Sequence, residues 1–240
     1  MQLAQRDMMH KFSSSVEIAL SSLSAGGFVM LHDGGEREDE VDLVKAAISC
    51  TPDDIAFMRL NAGGLICAAM GREVASAVGL PFMYELLLNA ADDYPVLAEV
   101  VQRHAPYGGS PAFSIHVNHR NAYTGISDNE RALTVRSVGE VASLLDHGLD
   151  ARAAFLERFT TPGHVPLLIE ARGSLNERRG HTELSIALMR LAGLPVASVI
   201  CEILDTETHS SMRSDKAAKM SKRLDIPLLE GEEVLRAAGI

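Results

Sequence analysis

The chain has 240 residues, of which 47% are hydrophobic and 22% charged, a composition typical of a folded globular protein. Its length favours one domain with a well-buried core. The formal net charge of −10 argues against nucleic acid and anionic membrane surfaces as partners, because both would repel an acidic protein.

Three cysteines, Cys50, Cys67 and Cys201, form no C-x-x-C pair, and their odd number argues against a disulfide framework. We therefore expect a reducing, cytoplasmic setting. The polar residues 1–15 contain no apolar run before a small-residue cleavage site, so we expect no secretory signal. No stretch reaches the roughly 18 apolar residues that a membrane-spanning helix needs, so we expect no membrane association.

The first part of the chain alternates between helical and extended patterns. Thr51 followed by Pro52 predicts a helix start, because threonine caps helices and proline fits the first helical position. The predicted elements are a helix over 16–23, strands over 28–31 and 41–50, a helix that begins at 52 and ends between 61 and 64, a strand over 65–70 and a helix over 72–78.

Several prolines and glycines between residues 83 and 111 predict loops there, with one helix over 96–103. The mixture of strands and helices along the chain predicts an α+β (mixed α/β) domain, without fixing its topology. Further predicted elements are strands over 113–117, 165–171, 196–204 and 226–229, and helices over 129–146, 182–191 (with Thr182 as the N-cap), 214–223 and 232–238.

Residues 33–42 form an acidic loop, D-G-G-E-R-E-D-E-V-D, in which six of ten residues carry carboxylates. Hard divalent cations such as Mg²⁺ and Mn²⁺ prefer oxygen ligands, so this loop is suited to hold a metal. Glu38, Glu40 and Asp42 share one face if the segment is extended, and Arg37 is placed to bind an anionic or hydroxylated ligand. The alternative interpretation is a solvated hairpin loop.

The segment R-R-G-H-T-E at 178–183 lies at the start of the clearest predicted helix. Free backbone N–H groups and the helix dipole favour an anion there, two arginines strengthen that preference, and Gly180 allows close approach. Phosphate is the natural occupant, with His181 placed as a metal ligand through a neutral ring nitrogen. The alternative is a basic loop with an ordinary threonine cap.

Five further residues carry weaker signals. Glu202 lies in an apolar strand, where a carboxylate is costly unless it is paired, functional or facing solvent at an edge. His164 opens another apolar strand, where a lone histidine is more often structural or exposed than functional. Cys67 fits a buried small hydrophobe better than a nucleophile. His116 and His119 are not a predicted metal site, because their i, i+3 spacing puts them on different faces of a strand.

Together and in this order, the motifs resemble those of 3,4-dihydroxy-2-butanone 4-phosphate synthases, enzymes of riboflavin biosynthesis. The resemblance runs from about residue 15 to residue 230. Its segments are R-E-D-E-V-D at 37–42, G-L-I-C at 64–67, T-G-I-S-D-N-E-R-A-L-T at 124–134, P-G-H-V at 162–165, R-G-H-T-E at 179–183 and A-G-L-P…C-E between 192 and 202. The chain departs from the family pattern at Asp39, where Asn is usual, at Val41, where Gly is common, and at Arg179, where many members have Gly.

The resemblance implies conversion of D-ribulose 5-phosphate to 3,4-dihydroxy-2-butanone 4-phosphate and formate. It implies two Mg²⁺ or Mn²⁺ ions per site, bound by Glu38 and His181, in a homodimer with sites near the subunit boundary. The catalytic residues implied are Asp42, Glu40, His164 and Glu202. The substrate-binding residues implied are Arg37, Glu38, Asp42, Cys67, Thr134, Arg178, Arg179, Gly180, His181, Thr182 and Glu202.

For the fold, the resemblance implies a single domain over residues 1–240, with a mixed sheet packed by helices and no GTP cyclohydrolase II domain. Two other functions stay open at this stage. One is a different divalent-metal-dependent isomerase or aldolase acting on a sugar phosphate, for which the same site would serve. The other is an RNA-binding module of similar fold, against which the net charge argues.

Overall fold

A seven-stranded mixed sheet lies at the centre of the computed structural model, which describes residues 12–101 and 110–240. The strands run β4–β5–β3–β6–β2–β1–β9 across the sheet; the β1–β9 and β3–β5 pairs are parallel and the other pairs antiparallel. Their bounds are β1 Val29–His32, β2 Val41–Ala46, β3 Cys67–Met70, β4 Phe113–His119, β5 Phe159–Ile169, β6 Ala197–Glu202 and β9 Leu228–Glu230, and a separate hairpin pairs β7 Leu204–Asp205 with β8 Ser210–Ser211. The predicted mixed fold is confirmed.

Helices cover both faces of this sheet. Their bounds are α1 Ser14–Ser24, α2 Pro52–Asn61, α3 Arg72–Val78, α4 Met83–Asn89, α5 Val96–Val100, α6 Asp128–Asp146, α7 Ala151–Arg158, α8 His181–Ala192, α9 Ser214–Leu224 and α10 Gly231–Ala238. Within the described residues, no helix is both long enough and apolar enough to cross a membrane.

Two hydrophobic clusters separate the helices from the sheet, one on each face. In β2, Val41 and Leu43 belong to the first cluster, while Val44 belongs to the second. The first cluster contains the buried face of α6, and the second contains that of α8. Because both faces of β2 are covered, all six of its residues are buried, including the charged Asp42 and Lys45.

The start of α2 confirms the predicted cap. Thr51 Oγ1 accepts a hydrogen bond from the backbone N–H of Asp54, and the Asp54 carboxylate accepts one from the backbone N–H of Thr51. Asp54 also binds the buried Lys45 ammonium of β2 at 2.7 Å. A local capping motif therefore also neutralises a charge that lies inside the sheet.

Two helices were not predicted. α7 begins at an aspartate cap, since Asp150 Oδ1 accepts a hydrogen bond from the Ala153 N–H. A cap of this kind is not visible in the apolar periodicity of the sequence. α4 has no fully buried residue and follows a Gly- and Pro-rich turn, so its apolar pattern is weak. The predicted helix over 96–103 ends at Val100, and residues 102–109 lie outside the described residues.

Helix α8 begins one residue earlier than predicted, with Gly180 rather than Thr182 at its N-cap. The carboxylate of Glu183 accepts a hydrogen bond from the Gly180 N–H at 3.3 Å and takes over the capping role. This prediction was wrong because the pattern of a threonine before an apolar run does not reveal a carboxylate that folds back over the first turn.

A buried carboxylate, Glu170, connects three elements at the end of β5. Each of its oxygens lies 2.6 Å from a guanidinium nitrogen of Arg190 on α8, and it also accepts from the Arg72 N–H and the Ser174 hydroxyl. Burial opposes ionisation of Glu170, but these donors outweigh it and hold the pKa of the carboxyl below its ordinary value.

We expect Glu170→Gln to lower the free energy of unfolding by about 2 kcal/mol near neutral pH, because charge-assisted hydrogen bonds to a buried carboxylate are lost. A lowered pKa stabilises the fold above the carboxyl's unfolded-state pKa, and this contribution disappears as the pH falls through the folded-state value. Urea denaturation at several pH values should show the difference from wild type shrinking in acid. Glu157→Gln, on the exposed side of α7, is the matched control, and a difference independent of pH would contradict the assignment.

Candidate active site

An open cavity of about 210 Å³ lies where the acidic loop meets the start of α8. Loop residues, strand ends of the sheet and the first residues of α8 all contribute to its wall. Its lining consists of Glu38, Asp42, Cys67, Pro111, Ala112, Phe113, Leu168, Arg178, His181, Thr182, Ile200 and Glu202. The predicted acidic segment and the predicted anion-binding segment therefore face the same space.

The acidic loop is folded around Asp33, a buried residue directly after β1. The Asp33 carboxylate accepts hydrogen bonds from the backbone N–H groups of Glu38 and Glu40, both at 3.2 Å. Arg37 Nε lies 3.5 Å from Asp33 Oδ2. Gly34, at a φ of +97°, supplies the left-handed turn that brings the chain back, a conformation that costs glycine little. The fixed turn positions the Glu38 side chain.

His181, which is 5% exposed, lies between the loop and β2. Its Nδ1 is 3.6 Å from Glu38 Oε2, and its Nε2 is 3.7 Å from Asp42 Oδ1 and 3.2 Å from the carbonyl oxygen of Glu40. The structure thus brings together the two residues for which the resemblance implies metal binding.

One oxygen of Asp33, one of Glu38 and one ring nitrogen of His181 lie within 4.8 Å of one another. Two carboxylates and an imidazole form a donor set that suits a divalent cation such as Mg²⁺ or Mn²⁺. Among the described residues, the buried Asp42 Oδ1 has no hydrogen-bond partner. A hard cation close to these oxygens would satisfy that acceptor, so the residues fit a metal. Asp33 was not assigned to the metal from the sequence.

The ionisation of this cluster is strongly perturbed. Burial raises the pKa of Asp42, the charges of Glu202, Glu40 and Glu38 raise it further, and His181 opposes the rise. Burial favours neutral His181, but the charge of Asp42 and the hydrogen bond with Glu38 outweigh it and raise the histidine pKa. Both shifts are upward, as expected where several carboxylates are held together out of water, an arrangement that bound cations would relieve.

Arg178 reaches the cavity with its guanidinium fixed by Glu183. Arg178 Nη1 lies 2.7 Å from Glu183 Oε2, and the fully buried Glu183 also accepts a hydrogen bond from the Ala171 N–H. Together with Thr182 on the first turn of α8, Arg178 gives the cavity a positive, hydrogen-bonding side suited to an anion. Glu183 was missed as a positioning residue, although it is the last residue of the R-G-H-T-E motif.

Glu202 is held at the end of β6, directly opposite Asp42 in the β2–β6 pair. Its Oε2 accepts a hydrogen bond from the Leu65 N–H at 2.7 Å, and its backbone carbonyl accepts one from the Gly64 N–H at 3.0 Å. A Cβ atom on Gly64 would lie 2.5 Å from Glu202 Oε2, so this close approach requires glycine. Cys67 lines the cavity from β3.

Six of the implied site residues do not line this cavity. His164 is exposed on β5, where its backbone N–H donates to Asn118 Oδ1 at 2.8 Å. The buried Thr134 hydroxyl donates to the Glu130 carbonyl and accepts from the His119 N–H, so it serves the local structure of α6.

The other four are Arg37, Arg179, Gly180 and Glu40; Gly180 is the N-cap of α8. Arg179 lines a second cavity of about 260 Å³ on another side of the acidic loop, together with Arg37. Glu40 contributes its backbone carbonyl to His181, while its carboxylate accepts a hydrogen bond from the Ser211 hydroxyl on β8. Burial raises the pKa of Glu40 above its ordinary value.

The chain is similar in sequence to proteins of one family. The family model described as 3,4-dihydroxy-2-butanone 4-phosphate synthase matches residues 17–237. The synthase of that name from Methanothermobacter thermautotrophicus is 40% identical over 222 residues, covering 92% of this chain and 95% of the relative. That from Methanosarcina mazei is 41% identical over 230 residues, covering 95% and 92%.

Solved structures of the same family share the fold. A 3,4-dihydroxy-2-butanone 4-phosphate synthase in a cation-free form superposes with a TM-score of 0.74 at 28% identity, covering 95% of this chain and 98% of the other. A structure of such a synthase in complex with two magnesium ions gives a TM-score of 0.73 at 28% identity, covering 93% and 96%.

We expect all three thiols to resist alkylation in the folded protein. Burial raises the pKa of Cys50 and of Cys201 to about 12 and that of Cys67 well above its ordinary value, so almost no thiolate forms near neutral pH. Titration with a chromogenic disulfide reagent should detect three thiols only after denaturation. Rapid reaction of Cys67 under native conditions would instead indicate an activated thiol in the cavity wall.

Proposed function

Because the chain belongs to the 3,4-dihydroxy-2-butanone 4-phosphate synthase family, we propose that this lyase of riboflavin biosynthesis converts D-ribulose 5-phosphate to 3,4-dihydroxy-2-butanone 4-phosphate and formate. One observation carries the assignment of the site: His181 lies between Glu38 and Asp42 in a cavity whose other side holds Arg178. That arrangement combines cation ligands with an anion-binding group, as a metal-dependent reaction of a sugar phosphate requires.

In this proposal, Glu38 and His181 bind Mg²⁺ or Mn²⁺, two ions per site, with Asp33 close enough to take part. The related synthase in complex with two magnesium ions supports that stoichiometry. When bound, divalent cations stabilise substrate oxygens that gain negative charge. Arg37, whose guanidinium packs against Asp33, is proposed to contact the substrate beside the cations.

Phosphate binding is assigned to the first turn of α8. Arg178 and Thr182 line the cavity, and the backbone around Gly180 lies where the helix dipole favours an anion. The phosphate would fix the orientation of the sugar chain relative to Glu38 and His181. Arg37 and Arg179 line the second cavity and Thr134 is buried, so the geometry gives less support to the proposed substrate contacts of these three residues.

Proton transfer is assigned to the carboxylates at the ends of β2 and β6. Asp42 and Glu202 lie opposite each other. The raised pKa of Asp42 lies closer to neutral pH than that of an ordinary aspartate, as suits a group that exchanges protons. The Leu65 N–H binds one carboxylate oxygen of Glu202, and this contact fixes the direction of the second oxygen. Glu40 is a further acidic group of the loop, held by Ser211.

The position of His164 supports a homodimer. The chain presents exposed apolar side chains close in sequence to the Asn118 that binds His164, namely Tyr123 at 97% and Ile126 at 54% exposure. Large exposed apolar groups mark protein contact surfaces. We propose that two copies associate there and that each active site receives His164 of the partner subunit. The protein is further proposed to form one domain over residues 1–240 and to act in the cytoplasm.

The synthase and a rival sugar-phosphate isomerase or aldolase differ in one product, since only the synthase releases formate. We expect formate from ribulose 5-phosphate with Mg²⁺ present and none after chelation with EDTA, with activity restored by added Mg²⁺. Glu38→Gln and His181→Ala should each lower the rate by about a hundredfold or more, because loss of cation stabilisation costs several kcal/mol in the transition state.

His147→Ala, at the exposed end of α6, and Glu157→Gln are matched controls with expected wild-type rates. Circular dichroism should show folded protein for all four variants. Consumption of ribulose 5-phosphate without formate would favour the isomerase or aldolase.

Mixing two inactive variants tests the proposed homodimer. His164→Ala and Glu38→Gln each disable a different half of a shared site, so a heterodimer of the two contains one intact site. After unfolding and refolding together, the mixture should regain about a quarter of wild-type formate release, because half of the dimers carry one working site of two. A mixture that stays as inactive as its components would show that His164 acts within its own subunit or not at all.

A further inference from the structure

A buried histidine outside the cavity joins the acidic loop to the end of the sheet. His32, the last residue of β1, is 7% exposed, and its ring lies between two carboxylates. Its Nδ1 is 2.6 Å from Glu230 Oε2, and its Nε2 is 3.0 Å from Asp39 Oδ1. His32 and Glu230 are direct neighbours in the parallel β1–β9 pair. None of these three residues has a role in the proposed reaction.

The hydrogen bonds fix the orientation of this ring. Each ring nitrogen of His32 lies within hydrogen-bond distance of a carboxylate oxygen, so the side chain links Asp39 in the acidic loop to Glu230 in β9. Because the two nitrogens point in opposite directions, each toward its own carboxylate, the group is a bridge rather than a metal site.

Asp39 adopts a left-handed backbone conformation within the acidic loop. Its φ of +54° is in the left-handed region, which disfavours residues with a Cβ atom. Its two neighbours, Glu38 and Glu40, both donate their backbone N–H groups to Asp33. The turn is thus held from one side through the backbone by Asp33 and from the other through the Asp39 side chain by His32.

We infer that His32 is a positioning residue for the metal-binding loop, acting through Asp39, and that the bridge keeps the Asp39 carboxylate out of cation coordination. Asp39 accordingly lies outside the group formed by Asp33, Glu38 and His181. Glu230 fixes the other end of the bridge to the edge of the sheet. The inference rests on the proposed function for the identity of the cations, but its test reads cation binding directly.

The experiment measures Mn²⁺ binding by electron paramagnetic resonance, in which free Mn²⁺ gives the signal that bound Mn²⁺ loses. His32→Leu should raise the dissociation constant for Mn²⁺ by about tenfold, the effect typical of losing a group that orients a ligand. Asp39→Gly removes the same contact and relieves the left-handed strain. On that background, His32→Leu should change the constant by less than about twofold, because a residue acting through Asp39 has nothing left to act upon.

Asp39→Asn tests the second part of the inference. Asparagine can still accept a hydrogen bond from His32 but lacks the charge, so Mn²⁺ affinity should stay within about threefold of wild type. Glu38→Gln should weaken binding far more. If Asp39→Asn weakens Mn²⁺ binding as strongly as Glu38→Gln, Asp39 is itself a ligand and the inference fails.

A merely structural role would give a different result. His32→Leu would then lower the melting temperature while leaving Mn²⁺ affinity of the folded protein unchanged, or it would weaken binding equally on both backgrounds, and either outcome overturns the inference. His147→Leu, at an exposed position, controls for the loss of a histidine. Should His32→Leu not fold, His32→Gln retains one donor and should give a weaker Mn²⁺ defect that again disappears on the Asp39→Gly background.

The proposed function and this inference fail in separable ways. Absence of formate from the wild-type protein would refute the proposed reaction, while the Mn²⁺ measurements would still decide the role of His32. Conversely, normal formate release combined with unchanged Mn²⁺ affinity and an unchanged Mg²⁺ requirement in His32→Leu would refute the positioning role alone.

Discussion

The burial of Asp42 opposite Glu202, at the ends of two adjacent strands, sets the electrostatic constraint on which the site depends. Two carboxylates in such register repel each other, and removal from water strengthens that repulsion. Stability therefore requires positive charge nearby, and His181 is the resident group that meets this need. The same demand makes the cluster receptive to cations. The close packing of these acidic groups therefore explains both the position of His181 and the affinity of the cluster for cations.

Two supporting carboxylates, distant from each other in sequence, fix the positions of the residues that form this cluster. Asp33 folds the loop that carries Glu38, while Glu183 secures the start of the helix that carries His181. Each supporting carboxylate determines where a functional side chain lies, and Asp33 is also close enough to Glu38 and His181 to share a cation with them. The sheet holds both supports in a fixed relation, because the acidic loop joins β1 to β2 and the hydrophobic face of α8 packs against the same sheet.

The sequence was most informative where a local pattern sufficed. Thr51 and Pro52 predicted the start of α2, and the mostly apolar segment that begins at Val41 predicted a strand, because capping and burial act over a few neighbouring residues. The family motifs also indicated which segments carry the chemistry. The roles of Asp33 and Glu183 were not predictable in this way. Both act through backbone N–H groups that fold back onto a side chain, and such contacts leave no periodic pattern. The same reason explains the misplaced cap at Thr182.

The bond between Arg178 and the buried Glu183 has a consequence for ligand recognition. A long cationic side chain ordinarily loses much rotational freedom when it grips an anion, and that entropic penalty weakens binding. Here the guanidinium is already immobilised, so its disorder was removed when the polypeptide folded. An incoming anion therefore meets a rigid receptor. Discrimination between ligands of different length should accordingly be sharp, since the receptor has little freedom to follow a shorter molecule.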